Sequence, residues 1–120
     1  EQPEVLNYLG YSLIERKEDL EDALGMIETA IERDPKSGYI VDSLAWGLYK
    51  LGRYEEALGP MKKAFELLPF DPIINDHLGD ILWENGKKRS AKLYWKRSLS
   101  FKPDKEEINK IKKKIENGLD

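Results

Sequence analysis

The chain has 120 residues, 20 of them basic and 23 acidic, with 40% hydrophobic side chains, one histidine and no cysteine. That length is one domain's worth, with enough apolar residues for the shared core of a small array. Disulfide and thiol chemistry are excluded, no apolar run of about 18 residues is present to cross a membrane, and no signal-peptide pattern appears.

Pro35, Pro69 and Pro103 lie 34 residues apart, and each closes a segment with the same order of small, apolar and aromatic residues. A fixed period of this length marks a stacked array of helical hairpins, so the fold class is all-α. Seven helices are predicted, over about 3–16, 20–33, 38–50, 54–67, 72–85, 88–101 and 104–117. They group into three hairpin units over about 3–37, 38–71 and 72–105, followed by a last helix over 104–117. The whole chain, 1–120, is expected to form a single domain of this kind.

In chain order, the first helix of each unit carries a Leu-small pair: Leu9-Gly10, Leu44-Ala45 and Leu78-Gly79. The second helix carries two small residues seven apart, Ala23 and Ala30, Ala57 and Ala64, Ala91 and Ser98. Seven residues is two helical turns, so the small side chains line one edge and let a neighbouring helix approach. Ile27, Met61 and Trp95 then fill the gap beside them. Gly52 and Gly86 mark the turns inside the second and third units, where the chain past a helix end often needs positive φ. The first unit has Lys17 near that place and one more turn residue, which predicts a locally different hairpin. Gly59-Pro60 falls inside the fourth helix, where proline removes a backbone hydrogen bond and is expected to kink it. Asp71-Pro72 reads as an N-cap followed by proline at the first helical position, and Asp104 as a cap for the seventh helix. That helix repeats Ile108, Ile111, Ile115 and Leu119 on one stripe, with Lys110, Lys112, Lys113 and Lys114 crowding the remaining face. It reads as a terminal cap with a polar outer surface.

This pattern resembles the tetratricopeptide repeat (TPR) family over nearly the whole chain. The most typical stretch is Gly52-Arg53-Tyr54-Glu55-Glu56-Ala57-Leu58, ending at Pro69 after Phe65-Glu66-Leu67-Leu68. Departures are Leu6, Val41 and Asn75 at the usual aromatic of the first helix, and Lys88 at the turn tyrosine of the third unit. The resemblance implies a right-handed α-solenoid of three TPR hairpins plus the capping helix. Such arrays bind partners on the concave face lined by the first helices. Carried onto this chain, the lining positions fall at Glu4, Asn7, Tyr8, Tyr11 and Ile14, then at Tyr39, Asp42, Ser43, Trp46, Tyr49 and Lys50. In the third unit they fall at Ile73, Asp76, His77, Asp80 and Trp83. The expected partner-binding set is Tyr8, Tyr11, Tyr39, Asp42, Trp46, Tyr49, Asp76, Asp80 and Trp83, an aromatic and acidic surface with about half of its aromatics buried between hairpins. Tyr and Trp are enriched in binding hot spots, and the carboxylates favour a peptide carrying Lys, Arg or an amino terminus. On this reading, replacing Asp42 and Asp80 with lysine destroys groove binding. The family's clamp for the carboxyl terminus of a heat-shock protein needs Lys, Arg and Asn. The matching positions here are Asn7, Tyr11, Ser43, Ile73 and His77, which cannot neutralise a terminal carboxylate.

No catalytic residue, cofactor or metal site is expected. Only Asp76, His77 and Asp80 cluster, and they lack the spaced ligands of a recognisable zinc site. They read as two groove-facing carboxylates beside a partly exposed histidine, so the chain is expected to be a non-enzymatic scaffold or adaptor.

Charge divides along the chain, with 18 acidic and 8 basic residues up to Gly86, then 12 basic and 3 acidic over residues 87–114. A weaker alternative is therefore contact with nucleic acid or an anionic surface through Lys87, Lys88, Arg89, Lys92, Lys96 and Arg97. A runner-up to groove binding is an assembly or oligomerisation segment inside a larger array, in which the exposed end hairpins contact further repeats. A third reading is head-to-tail self-association through the oppositely charged ends. Gly38-Tyr39-Ile40-Val41-Asp42-Ser43-Leu44-Ala45-Trp46 and Ile74-Asn75-Asp76-His77-Leu78-Gly79-Asp80 are similar to the C-terminal repeats of long bacterial multi-TPR proteins. Opening at Glu1-Gln2-Pro3 with no methionine, the chain is expected to be a piece of a longer protein. Targeting signals would then lie elsewhere, leaving bacterial cytoplasm and cell envelope both open.

Overall fold

The computed structural model describes residues 2–119, and among them seven α-helices account for all the regular structure. They are α1 (Pro3–Glu15), α2 (Leu20–Arg33), α3 (Gly38–Lys50), α4 (Tyr54–Leu67), α5 (Pro72–Glu84), α6 (Lys88–Ser100) and α7 (Lys105–Asn117). The pairs α1–α2, α3–α4 and α5–α6 form hairpins that stack in chain order, with α7 packed on α6. The result is an all-α solenoid 42 Å long and 25 × 24 Å across.

The local starts and stops follow residue chemistry. At the head of α5, Asp71 accepts a hydrogen bond from the Ile74 amide at 3.0 Å, and Pro72 occupies the first turn. Ser37 does the same for α3, accepting from the Ile40 amide at 3.4 Å. Asp104 stands at the N-cap of α7 without a capping hydrogen bond from its side chain, unlike the expectation for it. Gly52 (φ 80°) and Gly86 (φ 82°) take the left-handed conformation at the turns of the second and third units. The first unit makes its longer turn with Lys17 (φ 55°) and Asp19 (φ 44°), two side chains strained into the same region. Helix α4 runs continuously through Pro60.

The small residues set how closely the helices approach. A Cβ on Gly79 would meet the Trp95 indole and the Ala91 carbonyl, and one on Gly47 would meet Leu24 and Ile14. Ala23, Ala30, Ala57, Ala64, Ala91 and Ser98 are fully buried beside Ile27, Met61 and Trp95, as their spacing predicts. Ser98 also donates to the Pro72 carbonyl at 2.7 Å, tying α6 to the start of α5. One core cluster joins the first unit to α3 around Ile14, Ile27, Ile40 and Trp46. A larger one runs through the other two units to Ile111 of α7, and Leu44 and Tyr49 pack on both.

Asn75 is fully buried where the family's aromatic would stand, and its polarity is satisfied. Its amide nitrogen donates to the carbonyls of Asp71 (2.8 Å) and Pro69 (3.1 Å), while its oxygen accepts from Arg97 Nε at 3.2 Å. Replacing an apolar contact with a satisfied network preserves the packing. Arg97 is thereby committed to structure rather than left in the basic surface run.

Candidate functional site: a groove closed by the last helix

The first helices α1, α3 and α5 line one side of the solenoid, and α7 stands as a fourth wall. Between them is a cavity of about 490 Å³. Tyr11 and Glu15 come from α1, Trp46 and Lys50 from α3, Ile73, Asp76, His77 and Asp80 from α5, and Glu107, Lys110 and Lys114 from α7. The period of the array places them there, because equivalent positions on successive first helices point to the same side.

Trp46 forms the base of the middle of this groove. Its ring stacks on His77 at 3.7 Å and on Tyr49 at 4.7 Å, with Lys50 Nζ 5.0 Å from its centroid. Its indole N–H donates to Glu15 at 3.1 Å, linking α3 to α1. Beneath it, His77 Nδ1 lies 2.9 Å from Asp42 Oδ1, and both side chains are buried. Burial pulls the imidazole pKa down, but the charge of Asp42, its hydrogen bond and the nearby Asp76 and Asp80 outweigh that. The net result lies above the ordinary 6.5. His77 is thus a buried partner of Asp42 and not the partly exposed residue expected.

Lys114 carries the second correction. It does not stand on the solvated outer face of α7 with its neighbours. Its ammonium reaches across the groove and donates to Asp76 at 2.9 Å and to Asp80 at 2.9 and 3.1 Å. Trp95 Nε1 adds a bond to Asp80 at 2.9 Å. Burial lowers the Lys114 pKa, yet Asp80 and Asp76 together hold it above 10.5, so the ammonium stays charged. Burial raises the Asp80 carboxyl above 3.8 and the Asp76 charge adds to this, with Lys114 opposing. One buried and one half-buried carboxylate share one cation.

The nine side chains expected to form the binding surface therefore divide. Tyr11, Trp46, Asp76 and Asp80 line the cavity. Asp42 lies under His77, and Trp83 is stacked on Trp95 at 5.6 Å in the core beside Gly118. Tyr49 is half-buried against Trp46 and Tyr54. Tyr8 and Tyr39 are 72% and 58% exposed and do not line the cavity. Glu107, Lys110, Ile111 and Lys114 were absent from the expected lining, although Pro103 restarts the repeat and α7 occupies a first-helix position. That register was the available signal. Among the described residues no group of three metal-ligating side chains converges, and no helix is long and apolar enough to cross a membrane.

No family model matches the chain. A curated relative, TPR repeat-containing protein PA4667 of Pseudomonas aeruginosa, is 34% identical over 107 residues, which is 87% of this chain. The chain spans only 18% of that protein's length. Among solved structures, the first TPR of Spaghetti (RPAP3) bound to the HSP90 peptide SRMEEVD superposes with a TM-score of 0.82 at 19% identity, covering 98% of this chain and 93% of that one. The Yersinia enterocolitica type III secretion chaperone SycD, in complex with a peptide of the translocator YopD, gives 0.79 at 16% identity over 97% and 88%. These structures show the fold, and TPR folds of this kind generally mediate protein–protein interaction. With its three stacked hairpins, its small-and-bulky interlock and its similarity to PA4667, the chain belongs to the tetratricopeptide-repeat family.

Proposed function

We propose that this chain is a non-enzymatic interaction module that holds an extended segment of a protein partner in the groove between α1, α3, α5 and α7. The observation that carries this reading is the groove's lining. Tyr11, Trp46 and Ile73 offer apolar contact beside Glu15, Asp76 and Glu107 in one concavity large enough for a few side chains. Two neighbours with this fold, RPAP3 and SycD, are complexed with peptides. The ligand's recognition group is a Lys or Arg side chain, or an amino terminus, meeting the acidic wall. Asp42, Tyr49 and Trp83 support that wall from behind through His77, Trp46 and Trp95, and Tyr8 and Tyr39 lie outside it. A basic group seated between Asp76 and Asp80 has to take the place of Lys114, so a ligand engages α7 as well as the first helices. The matched clamp positions Asn7, Tyr11, Ser43, Ile73 and His77 carry no lysine or arginine, and the cavity's Lys50, Lys102, Lys110 and Lys114 stand elsewhere on its wall, so the family's clamp for a chaperone-tail carboxylate is not reproduced.

The test is selection from a random peptide library against the whole chain, followed by binding of the recovered peptides to an Ile73→Lys variant, whose added cation repels a basic ligand and interrupts the apolar contact. Ile73 is 51% exposed, so the substitution spares the core. Peptides enriched in Lys or Arg beside apolar residues, with affinity lost in the variant, are expected. Recovered peptides that bind the variant equally well would move recognition away from the groove.

A further inference from the structure

Away from the groove, α4 and α6 stand apart over α5 and leave a cleft of about 410 Å³. Its floor is apolar. Leu78 and Leu82 of α5 are buried there, and Phe65 of α4 meets Tyr94 of α6 edge to face with ring centroids 5.3 Å apart. The rim is charged and exposed, with Lys62 and Glu66 on α4 and Lys87 at the head of α6. Among the described residues neither Lys62 nor Lys87 enters an ion pair. The Arg97 guanidinium, 5.4 Å from the Phe65 centroid, adds positive charge against the same ring.

One repeat earlier, the same interval is built with the opposite charge. Between α2 and α4 the equivalent residues are Glu28, Glu32 and Glu56 in place of Lys62, Glu66 and Ser90, and Arg53 in place of Lys87. Arg53 is already held there, by Glu56 at 2.9 Å and Glu21 at 3.4 Å. Ile31, Leu44 and Leu48 keep the apolar character of Phe65, Leu78 and Leu82. The first turns of α2 and α4 carry two acidic residues each, and that of α6 carries none. Stacking of the hairpins therefore requires the apolar residues of this interval but not its two unpaired lysines.

We infer that the cleft between α4 and α6 is a second docking site, for an acidic segment of a protein partner that presents one aromatic or large aliphatic side chain between Asp or Glu residues. The apolar side chain enters over Leu78, Leu82 and the Phe65–Tyr94 pair. The flanking carboxylates meet Lys62 on one wall and Lys87 on the other, where Ser90 offers a hydroxyl donor. Complementary charge selects this class of partner. One cation on each wall of an apolar floor suits carboxylates on either side of a side chain. It is not a row along which a phosphate backbone runs, and Glu66 in the rim repels continuous negative charge. The apolar residues lie recessed between two helices, rather than projecting as a lipid surface requires. The ligand is opposite in charge to that of the concave groove, so the two sites take different segments and neither reading depends on the other.

The test is selection of a random peptide library on the immobilised whole chain, with an excess of the soluble Lys62→Glu/Lys87→Glu variant present to absorb peptides that bind elsewhere. Both lysines are exposed, so the double variant keeps its fold and its urea midpoint. Recovered peptides are expected to carry an aromatic or large aliphatic residue flanked by Asp or Glu. They should bind the double variant about tenfold or more weakly, and shift amide resonances around Phe65 and Tyr94 while leaving those of α1 and α3 in place. Peptides without acidic residues, equal affinity for the double variant, or shifts centred on Trp46 overturn the inference. So does recovery of no peptide above background. Oligodeoxythymidylate and phosphatidylserine vesicles are the comparison probes. Binding of either that is tighter than that of the selected peptides, and lost in the same variant, overturns the inference by assigning the cleft to nucleic acid or to a membrane.

Discussion

The single imidazole of the chain offers the most direct reading at the scale of the residue. His77 is the only histidine, so its NMR titration is unambiguous, and a midpoint above 6.5 is expected from the net effect of burial and Asp42. The sign for stability follows. A raised folded-state pKa means the folded form holds the proton more tightly. The stabilisation is fully present below 6.5 and is lost as pH rises through the higher folded value. His77→Gln should flatten this alkaline fall in the urea midpoint. A midpoint at or below 6.5 would mean that burial outweighs Asp42. Gly79 provides a second residue-scale test. Its Cβ would press into Trp95, so Gly79→Ala should cost roughly 1–3 kcal/mol by overpacking. Gly59→Ala places its Cβ in open space and should stabilise α4 by about 0.5–1 kcal/mol. The pair of variants, measured by urea unfolding, separates close packing from helix propensity.

At the scale of the element, α7 is more than a lid over an apolar edge. Ile111 is buried against the core formed by α5 and α6, as a capping stripe requires. Lys114 additionally neutralises the buried Asp80, which also accepts from the Trp95 N–H, and the half-buried Asp76 beside it. Removing one partner of a buried ion pair costs about 3–5 kcal/mol, while removing both is far cheaper. Lys114→Met is therefore expected to lower stability by about 3 kcal/mol, and adding Asp80→Asn should recover part of the loss. Additive effects in that double-mutant cycle would show that the bridge contributes nothing. The same geometry changes what a charge reversal in the groove means. Asp42→Lys and Asp80→Lys break buried pairs and would disturb folding before they report on binding, which is why the exposed Ile73 is the better probe.

At the scale of the whole molecule, the array is asymmetric in core and in charge. The first unit shares only the smaller cluster with α3 and leaves Val5, Tyr8 and Leu9 of α1 exposed, while the other units share a core that ends under α7. In a linear array each hairpin is stabilised by its neighbours. Native-state amide exchange should therefore be fastest in α1 and slowest in α5, which is packed on both sides. Uniform protection across all helices would show one cooperative unit instead. The basic run at the other end is partly spent on structure, since Arg97 serves Asn75 and Pro69 and Lys88 lies 4.8 Å from the Trp83 ring centroid.

The seven helices, their order and the interlock of small and bulky side chains could all be read along the chain. Those features depend on periodicities of three, four and 34 residues, which a linear chain displays directly. The Gly52 and Gly86 turns and the Asp71 cap were legible for the same reason. Which charges of the groove are already paired emerges from the packing of the hairpins. Asp42 meets His77 across 35 positions, Asp80 meets Lys114 across 34 and Asp76 meets Lys114 across 38. A lysine among four on a polar face carries no local mark of the one whose stem spans a groove. Its partner is fixed by the stacking of one hairpin on the next, and so the acidic wall that the sequence suggested becomes, in three dimensions, a wall already holding a cation.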